Sequence, residues 1–278
     1  MPISEGTKAG FAAINGINLY FETKGEGQPL LLLHAGVADS RMWDSQFEEF
    51  SQTHFVIRCD LRGFGQSGHS AGLFAHYEDI AALLDYLKVE QVSVIGASFG
   101  GYVALDFVVA YPQKVTALVL AAPALGGYEF ESAEMLEFFT AEAEALERGD
   151  GVAATELNLQ QWVDGFQRRP EEVSASIRER VREMQLNIFS QPEVAGVTEK
   201  ELAPPAIDRL DKIVMPTLVI VGDKDVAEFQ AISRLIAEKV QHGRRVVMTG
   251  TAHLPSMEKP AEFNRLIRDF LKLLFSNS

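Results

Sequence analysis

Short apolar runs alternate along this chain with stretches in which apolar residues recur every three or four positions. The runs at 30–33, 55–59, 92–95, 115–120, 216–221 and 245–248 predict strands, several of them apolar on both faces, as strands covered by helices on each side must be. Between them, Met42, Trp43, Phe47 and Phe50 follow Ser40, a residue suited to cap a helix, and Ile80, Leu83, Leu84 and Leu87 share one helical face. Further helices are expected over 101–111, 229–240 and 261–275. At the start of the chain, alternating residues flank Asn15-Gly16, the signature of a tight hairpin turn. Strands alternating with helices imply an α/β fold, a mostly parallel sheet with helices on both faces and its site at the carboxyl ends of the strands.

The rhythm breaks once. From 124 to 205 no strand-like run appears, and helical spacing covers 132–148, 153–163 and 170–189. The chain therefore divides into a core, 1–123 and 206–278, and an inserted helical cap, 124–205. Within 129–201 there are 17 acidic and 7 basic residues, so most of the net charge of −14 belongs to the insertion. That charge argues against nucleic-acid or acidic-membrane partners. A single cysteine, Cys59, excludes an internal disulfide and suits a reducing compartment. The first residues lack the apolar core of a secretion signal, and no apolar run reaches membrane-spanning length. A cytoplasmic protein is expected, with an oligomeric state that composition does not set.

The chemistry gathers just after the strands. Gly96-Ala97-Ser98-Phe99-Gly100 follows the run at 92–95 and leads into a helix, which is the pattern of an elbow presenting a serine at a helix N-terminus. The five-residue pattern alone is common by chance, so its weight comes from the strand before it, the helix after it and partners further along. Those partners are Gly222-Asp223-Lys224-Asp225 and Gly250-Thr251-Ala252-His253, each beyond a late strand. Serine, acid, histidine in that order suits nucleophilic acyl transfer. The serine attacks, the histidine takes and returns a proton, and the acid orients the imidazole. Gly63-Phe64-Gly65-Gln66-Ser67-Gly68 matches a dinucleotide-binding pattern in letters only, because Ser70-Ala71-Gly72 prolongs the loop where a helix should open. No cofactor and no metal are expected.

Together with His34-Ala35-Gly36 and Asp60-Leu61-Arg62-Gly63-Phe64-Gly65-Gln66-Ser67, these motifs make the chain resemble the α/β-hydrolase fold superfamily over essentially its whole length. The resemblance implies Ser98 as nucleophile, His253 as general base and acid, and Asp225 rather than Asp223 as the orienting acid, by the family's Gly-x-x-Asp spacing. It also implies an oxyanion hole from the backbone N–H groups of Phe99 and Gly36, with His34 bracing that loop. His54, His69, His76 and His242 have no partner pattern and read as packing or surface residues.

The activity this implies is a serine hydrolase acting on an ester or lactone of a small, mainly apolar, uncharged substrate. A C–C bond hydrolase, a cofactor-free perhydrolase or a non-catalytic small-molecule receptor would use the same scaffold. A haloalkane dehalogenase would need a carboxylate in place of Ser98. Most large cap residues, among them Met135, Leu136, Phe138, Phe139, Phe166, Met184, Leu186 and Phe189, are expected to pack the cap. Trp162 is the residue expected to wall the substrate pocket, while Glu131, Glu134, Glu142 and Glu144 stay hydrated on outer faces.

Overall fold

A computed structural model describes residues 6–192 and 194–275, so most of the N-terminal stretch read for a secretion signal lies outside it. The hairpin is β1 (Lys8–Ile14) and β2 (Ile17–Lys24), turning through Asn15 and Gly16, both at positive φ, a conformation in which glycine carries no steric penalty. Next come β3 (Gln28–Leu33), α1 (Asp44–Phe50), β4 (His54–Cys59), β5 (Gly72–Phe74), α2 (His76–Tyr86), β6 (Val92–Ala97), α3 (Phe99–Ala110) and β7 (Val115–Ala121). The 124–205 interval holds α4 (Ala133–Glu147), α5 (Gly151–Asn158), α6 (Ala175–Phe189) and β8 (Val197–Glu199). The chain closes with β9 (Thr217–Gly222), α7 (Ala227–Lys239), β10 (Gly243–Met248), α8 (Pro255–Glu258) and α9 (Pro260–Phe275). No helix among the described residues is long and apolar enough to cross a membrane.

Eight strands form one sheet in the order β1-β2-β4-β3-β6-β7-β9-β10. The hairpin joins antiparallel at one edge, and β4, β3, β6, β7, β9 and β10 run parallel. From β3 the chain steps one way to β4 and later the other way to β6. The strand order therefore reverses between β3 and β6, which opens a crevice at their carboxyl ends. Leu31 and Leu33 point into one apolar layer and Leu30 and Leu32 into the other, so burial on both faces makes the run continuous.

Three expectations need correction. A strand does occur in the insertion: β8 pairs in parallel with β5, far away in sequence. The helix expected over 153–163 becomes α5 and then a wider π-type turn over Leu159–Asp164, and the one over 170–189 starts as a separate short turn at Pro170–Glu172. The cap of the turn before α1 is Asp39, whose side chain accepts from Arg41 N–H, rather than Ser40.

The loop after β4 is anchored by a buried ion pair. Arg62 Nε and Nη2 donate to Asp79 at 2.7 and 2.9 Å, and Nη2 also reaches the carbonyl of Asn15 in the hairpin turn. Both charged side chains are almost fully buried, so deleting one strands the other without water. Asp79→Ala is expected to lower the unfolding free energy by about 3–5 kcal/mol in urea titrations. Lys114→Ala, which removes a pair to the mostly exposed Asp85, should leave the midpoint nearly unchanged.

Candidate active site

The elbow between β6 and α3 places Ser98 in the crevice. A Cβ on Gly96 would overlap the Gly100 carbonyl, and one on Gly100 would overlap the end of β3. Both positions therefore demand glycine, and Ser98 is left at φ 49°, ψ −112°. Its hydroxyl lies 2.7 Å from His253 Nε2. His253 Nδ1 lies 3.0 and 3.1 Å from the two oxygens of Asp225. A carboxylate only accepts, so Nδ1 carries the proton and Nε2 presents its lone pair to the serine. His253 and Asp225 are 2% and 6% exposed, an environment in which these contacts are little screened.

The two neighbouring aspartates separate by role. Asp223 accepts from Gly250 N–H at 2.5 Å, tying the loop after β9 to the turn after β10. Asp225 instead meets the imidazole and accepts from Val226 N–H at 2.8 Å. Gly36 backs onto Phe99, where an added Cβ would sit 3.4 Å from the phenyl Cβ. Phe99 N–H is the first donor of α3. Gly36 and Phe99, the residues expected to supply the oxyanion donors, are thus in close contact.

His34 braces this loop. Its Nε2 accepts from Leu61 N–H and its Nδ1 donates to the Ala35 carbonyl, each at 2.9 Å. Burial holds its pKa below the ordinary histidine value, and the ring stays neutral. Asp60 accepts from the N–H groups of Ser40 and Gln66, fixing the two loops that flank the crevice.

The wall beside His253 is aromatic. The Trp162 and Phe229 rings lie 4.6 and 4.4 Å from the imidazole, centroid to centroid. Trp162 is oriented by a polar chain: its indole N–H donates to Asn158 Oδ1 at 3.0 Å, and Asn158 Nδ2 donates to Glu142. Glu142, expected to be a hydrated outer residue, is partly buried by this task, and its pKa is raised by that burial. Met135, Phe138 and Met184 are buried as expected of packing residues, whereas Leu136, Phe139 and Phe166 are exposed.

Sequence reasoning missed the mount beneath this wall. Arg168 donates to the carbonyls of Val163 and Asp164, at the end of the turn that carries Trp162. It also donates at 2.5 Å to Glu258, whose other oxygen accepts from Ala252 N–H, one residue before His253. No motif marks this pair, because its partners stand 90 residues apart.

A serine at a strand-to-helix elbow, facing a histidine and an aspartate borne by two later strand ends, is the arrangement of the α/β hydrolases. The chain belongs to the alpha/beta hydrolase fold family, whose model matches residues 28–260. It is 30% identical to a 2-hydroxymuconate semialdehyde hydrolase of Pseudomonas putida, over 89% of this chain and 88% of that one. Among solved structures it resembles a thermophilic esterase from Thermogutta terrifontis, with TM-score 0.73 and 28% identity over 96% of this chain and 97% of that one. It also resembles Est816, described as an N-acyl homoserine lactone degrading enzyme, with TM-score 0.73 and 26% identity over 92% and 98% of the two chains.

His76 tests the electrostatics of this region. It is wedged between Phe74 and Phe99, each 5.1 Å away, and burial first, then the neighbouring His34, Arg62 and His69, lower its pKa to about 3. The unfolded chain binds a proton near pH ~6.5 that the folded chain refuses, so this histidine costs stability as pH falls below that point. His76→Phe keeps the aromatic packing. Measured by chemical denaturation, it should gain on the wild type by about 1.4 kcal/mol for each unit below pH ~6.5 and show no such gain at pH ~8.

Proposed function

We propose that the chain is a serine hydrolase that cleaves an ester or lactone through an acyl-enzyme. The observation that carries this reading is the 2.7 Å contact of Ser98 Oγ with a histidine whose other nitrogen is held by Asp225. Ser98 attacks the carbonyl carbon as its proton passes to His253. The tetrahedral oxygen draws on the N–H groups of Phe99 and Gly36, and the leaving oxygen takes the proton back from His253. Water, activated by the same imidazole, then releases the acid and frees Ser98. Asp225 holds the imidazole in the right tautomer and stabilises its charged form.

In this reading residues 124–205 are a cap that selects the substrate, and Trp162 with Phe229 forms the wall on the histidine side. Two aromatic rings there favour an apolar acyl or ring portion. The acidic insertion repels highly anionic substrates on approach, an effect that salt weakens. The esterase and lactone-degrading relatives support ester chemistry. A second reading, C–C bond hydrolysis on the same serine, is favoured by the relative named for 2-hydroxymuconate semialdehyde, a compound with no ester bond to cleave.

A panel of p-nitrophenyl esters of increasing acyl length, an acyl lactone and a vinylogous β-diketone separates these readings. Ester or lactone turnover is expected, falling about a million-fold with Ser98→Ala or His253→Ala. A loss under about tenfold would place the chemistry elsewhere. Trp162→Ala should shift the preferred acyl length, and an unchanged profile would remove it from the pocket wall. Turnover of the diketone alone would select the second reading.

A further inference from the structure

A cavity of about 290 Å³ runs along α3, with Phe99, the residue after Ser98, in its wall. Phe99, Tyr102 and Asp106 line it from successive turns of the helix, and Glu199 and Glu201 face them from the end of the insertion. The Phe99 and Tyr102 rings are stacked, with centroids 5.6 Å apart and planes at 23°. The Tyr102 hydroxyl donates to Glu199 at 3.2 Å. Three carboxylates and two aromatic rings thus surround one small space.

Asp106 sets this apart from an ordinary acidic surface. It is 2% exposed, and its Oδ1 has no hydrogen-bond partner among the described residues. That oxygen lies beside Gly126, another residue of the cavity wall. A buried acceptor left unpaired is costly and calls for a donor from the cavity. Its neighbours explain why the donor should be a cation: Glu199 and Glu201 add negative potential, and the single Tyr102 hydroxyl proton serves both Glu199 and Asp106. Burial, opposed by a hydrogen bond from Tyr102 and reinforced by the charges of Glu199 and Glu201 over that of Arg209, pushes the Asp106 pKa up to about 7.

The cavity's shape also restricts the cation. No three His, Cys, Asp or Glu side chains among the described residues converge closely enough to hold a metal ion. Aromatic faces beside carboxylates suit an organic ammonium, which offers donors at one end and an apolar stem at the other. The volume corresponds to about ten water molecules, room for a small amine.

We propose that this cavity binds a small organic ammonium ion, its donors held by Asp106 and Glu199 and its charge lying against Tyr102. The site is distinct from the serine and requires no bond-making. It adjoins the elbow through Phe99, the residue that follows Ser98, and through Tyr102, whose N–H donates to the Ser98 carbonyl.

The test titrates the protein with n-butylammonium chloride and with 1-butanol, its neutral counterpart, at constant ionic strength, by calorimetry or by chemical-shift changes. Saturable binding of the ammonium is expected, with 1-butanol weaker by about tenfold or more. Asp106→Asn and Glu199→Gln should each weaken it about tenfold, while Ser98→Ala binds as the wild type does. Binding at pH 7 should release protons into the buffer, and Asp106→Asn should reduce that release. If Asp106→Asn fails to fold, Glu199→Gln, on an exposed strand, carries the same test. Equal binding of 1-butanol, a titration that never saturates, or affinities that the variants leave within about twofold of wild type would overturn the proposal.

Discussion

The backbone at Ser98 is the constraint on which the rest of the site depends. A serine at φ 49° costs about 1–3 kcal/mol and persists only where its surroundings allow no alternative. Here Ser98 N–H donates to the Ala121 carbonyl at 2.9 Å, and its own carbonyl accepts from Gly101, Tyr102 and Ala124 N–H groups. The end of β7 therefore holds the elbow from one side and the first turn of α3 holds it from the other. Close packing of Gly96 and Gly100 removes the room in which the turn could relax. The result is a hydroxyl aimed out of the sheet toward His253, with a helix N-terminus behind it to favour developing negative charge.

The partner side chains are held differently, by polar contacts between loops. Asp223 joins the turn after β10, Glu258 holds the N–H beside His253, and Arg168 links Glu258 to the turn carrying Trp162. The histidine and its aromatic wall thus share one mount. Arg168 and Glu258 are both largely buried and each is the other's counter-charge, which ties Trp162 and the imidazole to one ion pair. The insertion also docks through Glu228, which accepts from Glu131 N–H and from Ser132 at the start of α4.

Features that depend on local sequence were legible in it. Val92–Ala97 and Thr217–Gly222 are apolar on both faces, and that two-sided burial marks them as central strands without any alignment. The elbow was legible because its glycines answer to close contacts within a few residues. What escaped depends on distant partners. Val197–Glu199 has only three residues, none of them buried, and is a strand because Gly72–Phe74 lies alongside. The π-type turn over Leu159–Asp164 carries an indole packed against His253 and Phe229, partners far from it in sequence. Asp106 is a polar residue in an apolar helix, and only the fold brings Glu199 and Glu201 opposite it.

Covalent capture reports whether Ser98 is an activated nucleophile. Incubation with a fluorophosphonate, followed by intact-protein and peptide mass spectrometry, should give one adduct per chain on the peptide containing Ser98. His253→Ala should slow that capture by orders of magnitude, and Ser98→Ala should abolish it. An unlabelled wild-type chain, or an adduct on another residue, would contradict the account.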